Sequence, residues 1–224
     1  GFAVRAFTPR GGLEARAAQV ASALRDLAAE GHAGPRFALG HGLGGTALLR
    51  AAALGPALAG VVLISAPLAF GAEARAVRAL WARRPRTWAD LDADWAGRLL
   101  SRDLPPPVRH AFVTSGLAPL DALIDWRDRA GEARAPVPDA ALDALRAAAP
   151  RPTLCLVSPT DGLHPPWVCD PAAFGLRPVG LERWLVSPVD GASRHFGDLD
   201  LVLHPRARSE IDPRIEAWLS AHVG

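Results

Sequence analysis

The chain contains no lysine, asparagine, methionine or tyrosine. All 25 basic side chains are therefore arginine. The codons of the four missing residue types are AT-rich, so a GC-rich genome explains the bias better than selection for arginine chemistry. Net charge is also small, at +2, with the arginines scattered among 23 acidic residues. That balance excludes the basic stripe of a nucleic-acid binder. There are two cysteines, Cys155 and Cys169, without CxxC spacing, which excludes a disulfide framework and a thiolate zinc site. His32, His110, His164 and His222 show no metal-ligand spacing either. No apolar run is long enough to cross a bilayer, and no basic-then-apolar leader opens the chain. The expectation is a cytoplasmic protein with no cofactor, no metal, no nucleic-acid partner and no membrane partner. Because position 1 is Gly and not Met, the sequence is expected to begin inside a longer protein. Oligomeric state is left open.

What is present is apolar: half of 224 residues, enough for one domain with a full core. Residues 2–7, apolar except for Arg5, read as a strand. Residues 13–30 carry Leu13, Ala17, Val20, Leu24 and Leu27 at helical spacing, with Gly31 as the stop. Strand 36–40, a glycine-rich turn and a helix over 45–54 follow. Val61–Ile64 is a continuous apolar run of the kind found in buried parallel strands. Residues 71–148 break this rhythm with helical patterns punctuated by Pro85, Pro105–Pro107, Pro119 and Pro136. There Thr87 caps a helix with Trp88, Leu91, Trp95 and Leu99 on one face. Strands resume near 153–158 and 183–187. A last helix, about 206–222, offers Ile211, Ile215, Trp218 and Leu219 to the sheet. The alternation predicts a mainly parallel α/β sheet. Its core is residues 1–70 and 149–224, and 71–148 is an inserted helical cap. The near-identical heptapeptides Leu156–Gly162 and Leu185–Gly191 mark two strand exits at the C-terminal sheet edge, where open α/β folds place ligands.

The most informative stretch is Phe37–Thr46, a short strand, a sharp glycine turn and a helix start. Gly40, Gly42 and Gly44 fill the frame of the G-x-S-x-G nucleophile elbow with glycine at the nucleophile position. The Thr160–Pro166 loop carries Asp161 shortly before two prolines. The ending Asp198–Ala207 has the outline of an H-x-D-x-x-x-G-x-x-A pattern. Asp198 stands where that pattern has histidine, and His204 where it has glycine. Over nearly its whole length the chain resembles the α/β-hydrolase superfamily, with an ending like that of acid-lipase-like and related bacterial members. The resemblance implies a triad in the order nucleophile, acid, histidine, with Asp161 at the acid position. It implies one oxyanion donor, the Leu43 N–H. The second donor belongs to a loop after a strand that the family places between strand 2–7 and the elbow strand, and which this sequence lacks. A strand-wide gap or a re-paired sheet is expected there.

Gly42 supplies no attacking atom, and glycine tolerates the strained elbow conformation. The leading expectation is therefore a degenerate hydrolase-like domain, a pseudoenzyme without triad chemistry. It keeps a cleft for a small apolar or acyl-type ligand under the cap, or serves as a folded module. His41 beside the elbow and Leu43 are the candidate binding residues, with Trp88 and Trp95 either on the cap's ligand face or in its core. Asp161 is a relic triad acid or a turn-forming Asp-Gly pair. His195, three residues before Asp198, is a displaced triad histidine or a solvated loop residue. The alternative is an active ester or thioester hydrolase, of the serine-hydrolase type, whose nucleophile is displaced or absent from this segment. Cys169 is the one thiol near the acid loop, though no activating partner marks it. A third reading takes Gly40, Gly42 and Gly45 as a G-x-G-x-x-G turn of a nucleotide-binding module. Against it, no acidic residue lies between Gly45 and Glu73 to hold a ribose.

Overall fold

In the computed structural model the described residues are 3–7, 9–31, 34–52, 58–70, 106, 137–138, 140–147, 151–161, 166–175 and 180–223. The element order is α1 (Leu13–Ala29), β1 (Phe37–His41), α2 (Leu43–Ala52), β2 (Gly60–Ile64), β3 (Ala69–Phe70), β4 (Val137–Pro138), α3 (Ala140–Ala147), β5 (Thr153–Val157), β6 (Leu181–Leu185), α4 (Asp200–Leu203), α5 (Ala207–Glu210) and α6 (Asp212–Ala221). Four strands form one parallel sheet in the order β1-β2-β5-β6, so spatial order follows chain order. Register aligns His41 with Ile64, Ile64 with Leu156, and Leu156 with Trp184. All four strands thus end along one edge, and the loops that leave them share that edge.

Two apolar layers hold the sheet. β2 is buried at all five positions, and its side chains alternate between the faces. Val62 and Ile64 join Leu154, Leu156, Trp184, Phe196, Ile211, Ile215 and Trp218 on one face. Val61 and Leu63 join Leu48, Leu49, Ala141, Leu142 and Cys155 on the other, with Val20 and Leu24 of α1 packed against them. The first face is covered by the C-terminal helices, the second by α1, α2 and α3. Each fully buried Val, Ile or Leu contributes about 1.5–3 kcal/mol relative to exposure, so both faces are needed. The expected hydrophobic face of the final helix holds, but the helix runs as three pieces. Pro205 separates α4 from α5, and Pro213 opens α6, because proline cannot continue the i→i−4 ladder.

Residues 3–7 correct the reading of a first strand. They form no strand, and Val4 is 85 % exposed and Phe7 54 %. Arg5 instead reaches the end of α1 through an ion pair with Glu30 at 2.7 Å. An apolar segment becomes a strand only against a partner, and among the described residues β1 pairs with β2 alone. Neither a gap with a strand beyond it nor a re-paired edge is present among the described residues.

The insert leaves and returns side by side. β3 pairs antiparallel with β4, Ala69 opposite Pro138 and Phe70 opposite Val137. Residues 71–136, with Thr87, Trp88 and Trp95, lie outside the described residues apart from position 106. α3, placed by sequence within the cap's bounds, packs on α2 and puts Ala141 and Leu142 in the core.

Candidate functional site

The elbow forms because three glycines meet two different demands. Gly42 has φ +53°, a left-handed conformation that L side chains rarely adopt. Its N–H donates to Ile64 O at 2.9 Å, and its carbonyl accepts from Gly45 N at 3.0 Å, so strand pairing passes directly into helix α2. Gly40 and Gly45 are required by contact. A Cβ on Gly40 would lie 2.6 Å from Gly45 Cα, and one on Gly45 would lie 2.5 Å from Ala66 Cβ. Gly44, third in the motif frame, meets nothing within 4 Å among the described residues. The glycine that lets strand and helix approach is therefore Gly45. A Cβ at Gly42 likewise meets no described atom within 4 Å, its chain neighbours aside. Leu43 begins α2, and its N–H, in the first turn, has no intrahelical acceptor.

Beside this turn stands a pair of side chains. His41 Nε2 donates to Asp198 Oδ1 at 2.8 Å and lies 3.2 Å from the Asp198 carbonyl oxygen. Both side chains are largely buried, at 25 % and 13 % exposure. Burial lowers the imidazole pKa, but the Asp198 carboxylate and hydrogen bonds, with Asp161 behind them, outweigh it and hold His41 above its ordinary value. Asp161 follows the exit of β5 and acts on the same imidazole.

The loop that carries Asp198 is fastened at several points. Ser158 Oγ donates to Phe196 O at 2.6 Å, and Thr160 Oγ1 to the same carbonyl at 3.1 Å. Phe196 is fully buried. Gly197 N donates to Asp200 Oδ2 at 3.3 Å, and Asp200 also meets Arg194. Asp200 is itself buried. Ser65, at the exit of β2, has φ +44° and accepts from Ser158 N at 3.4 Å. The exits of β2 and β5 thereby brace one another and fix where Asp198 sits.

Sequence reasoning placed Gly42, His41, Leu43, Asp161 and Asp198 along this edge. It missed that His41 and Asp198 are partners. The signal was available: alternation along β1 sets Phe37 and His41 on one face, and Phe37 packs edge-on at 6.2 Å against Trp218 of the C-terminal layer. His195 is exposed, and its described hydrogen bond is through its carbonyl, from Arg194 Nε at 3.0 Å. Cys169 is buried, and desolvation first, then the charges of Asp161 and Asp198, push its pKa well above the usual thiol value. That direction disfavours the thiolate, the nucleophilic form. Trp88 and Trp95 lie outside the described residues. No cluster of metal-ligating side chains occurs among the described residues. No helix among them is long and apolar enough to cross a membrane.

The sequence profile described as "Alpha/beta hydrolase family" matches residues 1–213. The chain belongs to the alpha/beta hydrolase family. Solved structures carry the same fold at low identity. A thermophilic esterase from Thermogutta terrifontis superposes with a TM-score of 0.62 at 19 % identity, covering 100 % of this chain and 78 % of its own. An esterase from Rhodococcus sp. gives 0.58 at 21 %, covering 97 % and 76 %. A serine-to-glycine mutant of an N-acyl homoserine lactonase, complexed with N-hexanoyl homoserine lactone, gives 0.58 at 13 %, covering 94 % and 72 %. No curated protein sequence matches the chain. Within the alpha/beta hydrolase family, then, this site has a glycine in the nucleophile frame and a histidine–aspartate pair directly beside it.

Proposed function

We propose that this alpha/beta hydrolase domain carries out no covalent, nucleophile-based catalysis and retains its elbow site for a small acyl-type ligand. One observation carries the reading: the position that would bear the attacking hydroxyl is Gly42, at φ +53°, with no described atom within 4 Å of where a side chain would begin, its chain neighbours aside. The nearby thiol is no substitute, because Cys169 is buried and its thiolate is disfavoured. Asp198, at the position where the family's ending has histidine, is engaged with His41. Ligand retention is supported by the Leu43 N–H at the head of α2 and by the apolar strand ends around it. A fold relative whose serine has been replaced by glycine and which holds an acyl lactone shows that the two are compatible in that protein. Nucleotide binding is the weaker reading, since β2 runs into Ser65, Ala66 and Pro67 with no carboxylate to hold a ribose.

The test is active-site labelling. A fluorophosphonate probe incubated with the whole chain should leave its intact mass unchanged, and p-nitrophenyl butyrate should give no acyl-enzyme burst. Tryptophan fluorescence should respond saturably to N-hexanoyl homoserine lactone. A probe adduct on any side chain would overturn the absence of a nucleophile. A flat fluorescence titration would overturn ligand retention.

A further inference from the structure

At the sheet edge that carries the elbow, one large aromatic side chain of the described residues stays exposed. Trp167 lies in the single 3₁₀ turn Pro166–Cys169 and is 42 % exposed, although Val168 and Cys169 beside it are buried. Hydrogen bonds in series tie that turn to the elbow. Gly42 N donates to Ile64 O at 2.9 Å, Thr46 Oγ1 donates to Pro67 O at 2.7 Å, and Leu68 N donates to Val168 O at 2.9 Å. The first turn of α2, the exit of β2 and the turn that carries Trp167 are therefore successive neighbours. Two such steps, each like a strand spacing of about 4.8 Å, put the Trp167 backbone on the order of 10 Å from the head of α2. On its other flank, the charges of Asp161 and Asp198 act on Cys169.

The backbone beneath the ring is fixed. Trp167 O accepts from Asp170 N at 3.3 Å, Asp170 Oδ1 accepts from Ala172 N at 3.0 Å, and Asp170 Oδ2 pairs with Arg183 of β6 at 3.2 Å. The indole leans on Phe174, tilted, with ring centres 6.1 Å apart. A single exposed apolar side chain needs no special account. A large aromatic on a rigid support beside a ligand site is different, because it offers a wall that costs little ordering on binding.

We propose that Trp167 is the acyl-chain contact of the elbow site and sets its preference for longer over short acyl groups. The inference rests on the ligand retention argued above. The carbonyl end lies at the Leu43 N–H, and the chain runs across the exit of β2 to the indole. Short acyl groups end before the ring. Each further methylene that reaches it leaves water, which is about fourfold in affinity.

The experiment is isothermal titration calorimetry of the full chain with N-butanoyl and N-hexanoyl homoserine lactone. Wild type should bind the longer ligand roughly 15-fold more tightly, from two methylenes at about fourfold each. Trp167→Ala should lose most of that preference while its affinity for the N-butanoyl ligand changes little. Trp167→Phe, which keeps an aromatic face, should retain most of the preference. Should Trp167→Ala fail to melt cooperatively, Trp167→Gln replaces it, with bulk but no apolar face. A preference that survives unchanged in Trp167→Ala overturns the wall. So does an equal fall for both ligands, which marks a structural role, and so does wild-type binding without a chain-length preference. All three leave ligand retention standing. Absence of binding of either lactone to wild type overturns ligand retention, and this inference with it.

Discussion

At the scale of single residues the elbow makes separable predictions, because its glycines are glycines for different reasons. Gly44→Ala should stabilise the chain by about 0.5–1 kcal/mol, the helix-interior gain over glycine, since nothing described crowds that position. Gly45→Ala should destabilise it by about 1–3 kcal/mol through overpacking against Ala66. Chemical denaturation of both variants checks the contrast. Gly42→Ser meets no described atom at its Cβ but places a side chain at φ +53°, at a cost of about 1–2 kcal/mol. It should form no acyl-enzyme, because its hydroxyl finds Asp198, not a histidine, at the family's base position, and an unassisted serine is a weak nucleophile. Intact mass after substrate exposure reads this directly. His41 adds a pH signature. Its folded pKa is raised above the ordinary value of about 6.5, so the folded state binds the extra proton. The stabilisation is complete below that ordinary value and is lost as pH rises through the folded pKa. Denaturation midpoints followed from mildly acidic to mildly alkaline pH should fall across that window in the wild type and much less in His41→Gln.

At the scale of elements, the parallel sheet was legible because its strands carry complete local signals. Val61–Ile64 is apolar throughout and buried on both faces. The glycine turn of 40–45 specifies a strand-to-helix elbow by itself, and the repeated Leu-Val-Ser-Pro segments do mark the ends of β5 and β6. Residues 3–7 show where such signals fail. Their apolar run is strand-like, but a strand is a pairing, and the partner is not encoded in the segment. The His41–Asp198 contact was hidden for a related reason. It spans 157 positions, and no local pattern reports which side chain a distant loop delivers. Alternation along β1 gives the face on which His41 lies but not its partner. The loop's fastening is itself testable. Ser158→Ala deletes the 2.6 Å bond to the buried Phe196 carbonyl, leaving Thr160 as its remaining described side-chain donor. A loss of about 1–3 kcal/mol is expected. NMR of the His41 ring should show a weakened Nε2–H signal as Asp198 drifts, while the β5 amides keep their shifts.

For the whole molecule, stability should be graded from the middle of the sheet outward. β2 and β5 are each buried at every position and pair on both sides. The two apolar layers meet through them, so their amides open only when the whole chain unfolds. β1 pairs on one side among the described residues, and Leu39 on it is 53 % exposed. The C-terminal layer is anchored to both outer strands by Trp218, which packs on Phe37 and donates its indole N–H to Glu182 of β6 at 2.9 Å. Gly60 leaves room for that ring: a Cβ there would come within 2.9 Å of Trp218 and 3.0 Å of Phe37. Gly60→Ala should therefore push α6 off the sheet while leaving the α1–α2 layer seated. Hydrogen exchange distinguishes this from uniform weakening. Protection should fall first and most in β1 and α6, with β5 retaining the slowest amides. Equal loss across both layers would mean that the two faces of the sheet unfold as one unit even at its edge.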